Sequence, residues 1–132
     1  MSSEPNLIFF NNFGDDRGNL VSLESLKNIP FDIKRIYYIY GTKSLVSRGK
    51  HAHKKLKQIL ICVSGKVDVY CEYKGKKQMF HLDNPSEGLF LDGAVWHEME
   101  NFSQDSVLIV LADDFYDESD YIRNYQDFLE YK

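Results

Sequence analysis

Three things are scarce in this chain: cysteine, net positive charge and long apolar runs. There are two cysteines among 132 residues, Cys62 and Cys71. If Ser64-Gly65 makes a two-residue hairpin turn, the register pairs Cys62 with Val67 and Gln58 with Cys71. The sulfurs then share a face but lie on the order of 13 Å apart, too far to bridge. Both are expected to be buried apolar fillers in a reducing compartment. The acidic residues (20) outnumber the basic ones (16), giving a formal net charge of -4, which argues against a general nucleic-acid binder. A pocket holding one phosphorylated small molecule between a few arginines is still compatible with that balance. No stretch approaches the roughly 20 apolar residues of a spanning helix, and no basic region followed by an apolar run opens the chain. These absences point to a cytoplasmic protein without a membrane segment. No repeat, low-complexity tract or linker divides residues 1–132, so one domain is expected.

What is present suits a β-rich fold. Hydrophobic residues make up 43%, enough to exclude disorder, and aromatics 14%, with nine Tyr and nine Phe. Short runs with strand character are Leu7 to Phe10, Asn19 to Glu24, Lys34 to Tyr40, Lys57 to Val63, Lys66 to Tyr73, Gln78 to Leu82, Gly88 to Leu91, Ala94 to Met99 and Ser106 to Ala112. Lys57 to Val63 is apolar on both faces and so should be covered on both sides. Turn signals stand between the runs, among them Gly14 to Gly18, Ser64-Gly65, Lys74-Gly75 and Asp92-Gly93. From about Ser119 to Tyr131 the spacing becomes helical, with Tyr121, Ile122, Tyr125, Phe128 and Leu129 on one side. The acidic stretch Asp113 to Asp120 reads as a solvated connection to that helix. Many short strands with regular turns mean a sandwich or a barrel, and the pattern alone does not choose.

The chemistry concentrates at Arg48-Gly49-Lys50-His51-Ala52-His53. Two histidines one residue apart point to the same side of a strand, and imidazoles titrate near neutral pH. Gln58 and Gly65 follow, then Gly88, Ala94, His97 and Asn101. Over residues 41 to 112 this resembles the two-part cupin pattern, which implies an all-β cupin or jelly-roll β-barrel, here with a short C-terminal helix. Gln58 stands where the pattern usually carries a glutamate ligand, Ala94 replaces a glycine and Asp92 a proline. Without that carboxylate a divalent ion loses its charge compensation. No metal and no cofactor are therefore expected.

A second resemblance spans nearly the whole chain. Asp16-Arg17-Gly18-Asn19-Leu20, Lys34-Arg35-Ile36-Tyr37-Tyr38, Arg48-Gly49-Lys50-His51-Ala52-His53-Lys54 and the Trp96-His97 segment resemble the dTDP-4-keto-6-deoxyglucose 3,4-ketoisomerases. These are cupin enzymes of bacterial deoxysugar biosynthesis that move a ketone from sugar carbon 4 to carbon 3 without a metal. Their products normally pass to an aminotransferase, giving amino sugars for surface glycans or antibiotics. The resemblance implies a dTDP-linked 4-keto-6-deoxy sugar as substrate. It also implies a homodimer in which N-terminal strands, about residues 1–24, exchange between subunits.

A 3,4-keto shift passes through an enediol, so a base must take a proton from carbon 3 and one must be returned at carbon 4. His51 is the candidate base, by resemblance and by its place beside Arg48. Tyr37, on the same strand face as Arg35, is the candidate to move protons at the sugar oxygens. His53 either orients His51 or acts as a second acid. Arg17, Arg35 and Arg48 are candidates for the diphosphate, because guanidinium forks match phosphate oxygens. Trp96 either stacks on thymine or belongs to the core, and His97 either donates to substrate or packs at the barrel mouth. His81, between Phe80 and Leu82, reads as structural or solvated. Two other functions stay open: a cupin epimerase acting on the same nucleotide sugar, and a non-catalytic cupin that binds a nucleotide sugar or a metal.

Overall fold

Side chains alternate between two environments along nearly every strand, and that alternation builds the molecule. In Arg35–Tyr40 (β2), Arg35, Tyr37 and Ile39 turn inward while Ile36, Tyr38 and Tyr40 face solvent. The structure, a computed structural model, describes residues 3–43 and 45–131. It contains two five-stranded antiparallel sheets. One runs Ser3–Phe9 (β1), Glu87–Asp92 (β7), Lys57–Ser64 (β4), Val107–Ala112 (β9) and β2. The other runs Tyr121–Ile122 (β10), Arg48–His53 (β3), Trp96–Glu100 (β8), Val67–Tyr73 (β5) and Lys76–Leu82 (β6). A single-turn helix, Tyr125–Glu130 (α1), closes the described chain. The all-β architecture with a short C-terminal helix agrees with the sequence reading.

The facing sides of the sheets form the main core, including Leu60, Cys62, Val69, Cys71, Leu89, Leu91, Met99, Leu108 and Val110. Both cysteines are free and buried there, as expected. β4 is indeed covered on both sides. Its Ile59 and Ile61 point away from the main core, under Phe10, Ile29 and Phe31. Val21 and Leu23 pack on that same outer layer, so the alternation at Asn19 to Glu24 reflects packing of an irregular segment. It is not a strand.

Two expectations are corrected. Ser64-Gly65 does not close a hairpin, because β4 pairs with β7 and β9 while β5 pairs with β6 and β8. The turn instead carries the chain from one sheet to the other. Gly65 has φ +69°, and a Cβ there would lie 2.2 Å from Ser103 Oγ, so both backbone angle and space require glycine. The C-terminal helix is also shorter than its spacing suggested. Tyr121 and Ile122 are extended and pair with His53 and Ala52. Sheet pairing has overridden helical spacing in that segment.

Helix α1 covers the outer face of the second sheet, where Phe128 packs with Ala52, Trp96 and Ile122. Asn124 caps it, its side chain accepting from Asp127 N at 3.0 Å. Beneath it the buried Glu72 carboxylate accepts from Tyr125 Oη at 2.8 Å and Tyr70 Oη at 3.1 Å. No described helix is long and apolar enough to cross a membrane.

Candidate active site

β2 ends one sheet and β3 with β10 ends the other, and the site lies where these edges face each other. In β3 and β8, inward positions are occupied by His51, His53 and His97, and His51 sits directly across from His97. The ring centroids are 5.0 Å apart for His51–His53, 4.7 Å for His51–His97 and 6.1 Å for His53–His97.

Arg48 shares the cavity with His51, although residues three apart on a regular strand face opposite ways. A register shift between Arg48 and His51 against β8 resolves this. The extra residue of a β-bulge restores Arg48 to the inward side. Gly49 adopts φ +92° in the bulge and lies close under β8, where an added Cβ would be 3.3 Å from Met99 Cε and 3.4 Å from the His97 carbonyl.

The resulting cavity has a volume of 360 Å³ and is lined by Arg35, Tyr37, Ile39, Arg48, His51, Tyr121 and Arg123, among others. A second, of 240 Å³, lies on the far side of Tyr121, where His53, Lys55, Asp117 and Asp120 meet. Tyr121 and Arg35 line both. The Tyr121 ring packs on His53 (4.3 Å) and His51 (4.9 Å), and the Arg123 guanidinium carbon lies 4.2 Å from the same ring's centroid as a cation–π partner. Glu118 holds Arg123 through Nε (2.8 Å) and Nη2 (2.9 Å).

Burial governs the protonation of these groups. His51 is pushed down to about 3, first by desolvation and then by His97 and Arg123, with the Gly49 backbone opposing. His53 falls to about 2, by desolvation and then by the two other imidazoles, Arg35 and Arg123. His97 falls to about 4 by desolvation, despite the Val95 carbonyl 3.1 Å from its Nδ1. All three rings are neutral at pH 7, so the 3.2 Å contact of His53 Nδ1 with Asp120 is a hydrogen bond from a neutral ring. Desolvation raises Tyr37 to about 12, with Arg35 and Arg48 opposing. The phenol keeps its proton and can donate it. Arg35 Nε is buried without a hydrogen-bond partner among the described residues, which leaves it available to an anion.

Tyr37, Arg35, Arg48 and His51 thus meet in one cavity, with His53 and His97 beside them. Trp96 does not join them: of its two readings, the packed position is the one it occupies, with Ala52, Ile122 and Phe128. As the residue next to His97 on a strand it faces the other way, packing 5.7 Å from Phe128 and 5.3 Å from Tyr125. Arg17 lies in the exposed Asp15–Gly18 turn, bound to Asp15 Oδ2 at 2.7 Å, and lines neither cavity. His81 is exposed and contacts Asp68 at 2.6 Å. Sequence reasoning missed Asp120, Tyr121 and Arg123. The acidic run and the helical spacing concealed a segment that folds back over the histidines.

The ligating nitrogens of His51, His53 and His97 lie within 4.8 Å of one another, close enough to hold one metal ion. Among the described residues no carboxylate completes that group. Gln58 is buried on the inward-facing side of β4, the side that also carries Leu60 and Cys62. An ion there would supply a Lewis acid at a substrate oxygen, but without an anionic ligand and among guanidinium groups.

A family model described as FdtA, WxcM-like C-terminal, matches residues 3–132. A TDP-4-oxo-6-deoxy-alpha-D-glucose-3,4-oxoisomerase from Aneurinibacillus thermoaerophilus is 51% identical over 128 residues, covering 97% of this chain and 92% of that protein. The chain belongs to the FdtA family of sugar 3,4-ketoisomerases. Two solved structures of such ketoisomerases superpose on this family member closely. One is a mutant of QdtA from Thermoanaerobacterium thermosaccharolyticum in complex with TDP-4-keto-6-deoxyglucose. It has TM-score 0.94 and 42% identity, covering 96% of this chain and 91% of that one. The other is a 3,4-ketoisomerase from Helicobacter canadensis, with TM-score 0.93, 46% identity and 96% of each chain covered. The family and fold read from the sequence are those found.

Proposed function

We propose that this chain is an isomerase that converts TDP-4-keto-6-deoxyglucose to a TDP-3-keto-6-deoxyhexose through an enediol, in deoxyamino-sugar biosynthesis. The observation that carries the reading is the convergence of His51, Tyr37, Arg35 and Arg48 on one cavity. Arg35 and Arg48 bind the diphosphate. His51, held neutral by its burial, takes the carbon 3 proton, leaving an imidazolium beside an enediolate. A ring with a pKa of about 3 is a weak base before substrate binds. The diphosphate offsets the field of Arg123, and the enediolate stabilises the proton on the ring, so both raise its basicity when it is needed. Tyr37 donates to the enediolate oxygen at carbon 4 as a preorganised donor and takes back the proton of the carbon 3 hydroxyl as the ketone forms there, which restores the phenol. His51 or His53 returns the proton at carbon 4, and His97 packs against both as support.

The reaction runs without a metal in this reading, because Arg35 and Arg48 beside the histidines oppose a divalent cation and no carboxylate among the described residues completes the three-imidazole group. Stoichiometric transition metal in the purified protein, with activity lost to a chelator, would refute that part.

The functional unit is a homodimer. Ile36, Tyr38 and Tyr40 form an exposed apolar face on β2, an edge strand, and Phe9, Phe13 and Leu20 are exposed near the N-terminus. Exposed apolar residues at both edges of this sheet suit burial against a second copy. β1 pairs with β7 of its own chain here. Exchange of residues up to about 24 would swap that pairing between subunits and offer Arg17 to the partner's cavity. The reaction belongs in the cytoplasm, on the way to a surface glycan.

Incubation with TDP-4-keto-6-deoxyglucose in deuterated buffer, followed by NMR of the sugar, tests the reading. The ketone should move to carbon 3 with deuterium at carbon 4. An unmoved ketone with inverted stereocentres would instead establish an epimerase.

A further inference from the structure

Asp120 lies in a run that sequence alone assigns to solvent, yet its carboxylate is spent entirely on the site. Oδ1 accepts from Lys55 N at 2.9 Å, and Oδ2 accepts from Leu56 N at 3.3 Å and faces His53 Nδ1 at 3.2 Å. The Asp120 carbonyl also accepts from Lys54 N at 2.8 Å. Three successive amides after His53 are therefore bound by one residue. The neighbouring Tyr121 then pairs with His53 in the sheet and packs against its ring, tilted by 57°. His53 is 2% exposed, so little water competes for its Nδ1.

We infer that Asp120 is a positioning residue of the isomerase reaction: its carboxylate holds the His53 proton on Nδ1, leaving Nε2 as the ring's free acceptor beside His51 and His97. A neutral imidazole can carry its proton on either nitrogen, and the hydrogen bond made by one decides the other. Glutamate or aspartate facing a ring N–H accepts only, whereas an amide nitrogen in the same place donates and drives the proton to the far nitrogen. With Nε2 free, His53 can take the proton from the His51 imidazolium and return it at carbon 4, whereas the opposite tautomer presents only a donor there.

The inference rests on the isomerase reading, and the test separates the two. Asp120→Asn can keep the 2.9 Å Lys55 amide bond through its oxygen while turning a donor toward His53, giving up only the longer, 3.3 Å bond from the Leu56 amide. TDP binding and the thermal midpoint, expected close to wild type, verify that the variant folds. Its kcat should fall on the order of 10²-fold, with KM within about twofold, because the change falls on proton transfer and not on binding. Nitrogen-15 NMR of the histidines, which needs no substrate, should show His53 protonated at Nδ1 in the wild type and at Nε2 in the variant. In a His53→Gln background Asp120→Asn should lower kcat no further. Asp120→Ala, which loses the amide bonds as well, should also lower the thermal midpoint. An Nε2-protonated His53 in the wild type, near-normal kcat in Asp120→Asn, or full additivity with His53→Gln each overturns the inference while the isomerase reading stands. A wild-type chain that moves no ketone overturns that reading instead, and the NMR comparison still decides whether Asp120 sets the tautomer.

Discussion

Lowering the pH from 7.5 to 5 should destabilise this fold well before its carboxylates titrate. His51, His53 and His97 have folded-state values of about 3, 2 and 4, against about 6.5 in the unfolded chain. The unfolded state therefore binds more protons in this range, and stability must rise with pH. Sign and window follow from the direction of the shifts. The stability is whole above about pH 6.5, begins to fall there, and continues falling until the folded rings themselves take protons. At pH 5 each ring is 1.5 units below its unfolded value, which costs about 2 kcal/mol. Three independent rings sum to about 6 kcal/mol as an upper bound, comparable with the whole stability of a small domain, about 5–15 kcal/mol. Carboxylates contribute little here, since unfolded Asp and Glu titrate near 4. Urea unfolding followed by Trp96 fluorescence at half-unit pH steps measures the curve. His51→Asn removes one of the three groups and should flatten the slope by about a third. Unchanged midpoints from pH 7.5 to 5, or an undiminished slope in the variant, would show that the folded cluster already carries protons.

Other outcomes follow from the same geometry. His51→Asn should abolish isomerisation, at least about 10³-fold, while TDP still binds in a calorimetric titration. The plot of kcat/KM against pH should stay flat from 7.5 to 5.5, because the free-enzyme base is already neutral; a decline centred near 6.5 would contradict the burial of His51. Arg35→Ala and Arg48→Ala should each weaken TDP binding by about 1.5–3 kcal/mol, with the loss shrinking at high salt, as equilibrium titration at two ionic strengths would reveal. Tyr125→Phe leaves the buried Glu72 carboxylate short of a donor and should cost about 1–3 kcal/mol in chemical denaturation.

The strands were legible wherever one periodicity ruled. Arg35 to Tyr40 and Val67 to Tyr73 alternate cleanly, and β4 announced its double burial by being apolar throughout. The layout of the sheets was less visible. Ser64-Gly65 has the composition of a hairpin turn, and nothing local says that β4 and β5 part company there. Half of the site was written in one short run around His51, where residue type and spacing coincide with chemistry. The other half was hidden because its meaning lies in long-range pairing. Tyr121 reads as a helical stripe until β3 is beside it, and Asp120 reads as a solvated acid until three amides and a ring nitrogen surround it. Trp96 was left open between pocket and core, and its strand position decides: adjacency to His97 in sequence means opposite faces on a strand.

The segment from Asp113 to Arg123 has a consequence for how the molecule comes into being. Both sheets, apart from β10, are built from residues up to Ala112, so the barrel can close before this segment emerges. Until it folds back, the three histidines lie open at a seam and no wall separates the two cavities. Its hydrogen bonds to the stretch from His53 to Lys57 join residues 56 to 67 positions apart, the kind of closure a chain reaches slowly. Residues 113–123 therefore complete the walls of both cavities. A molecule nicked in that stretch would keep its barrel and lose its reaction, so limited proteolysis at the C-terminal end would uncouple fold from turnover.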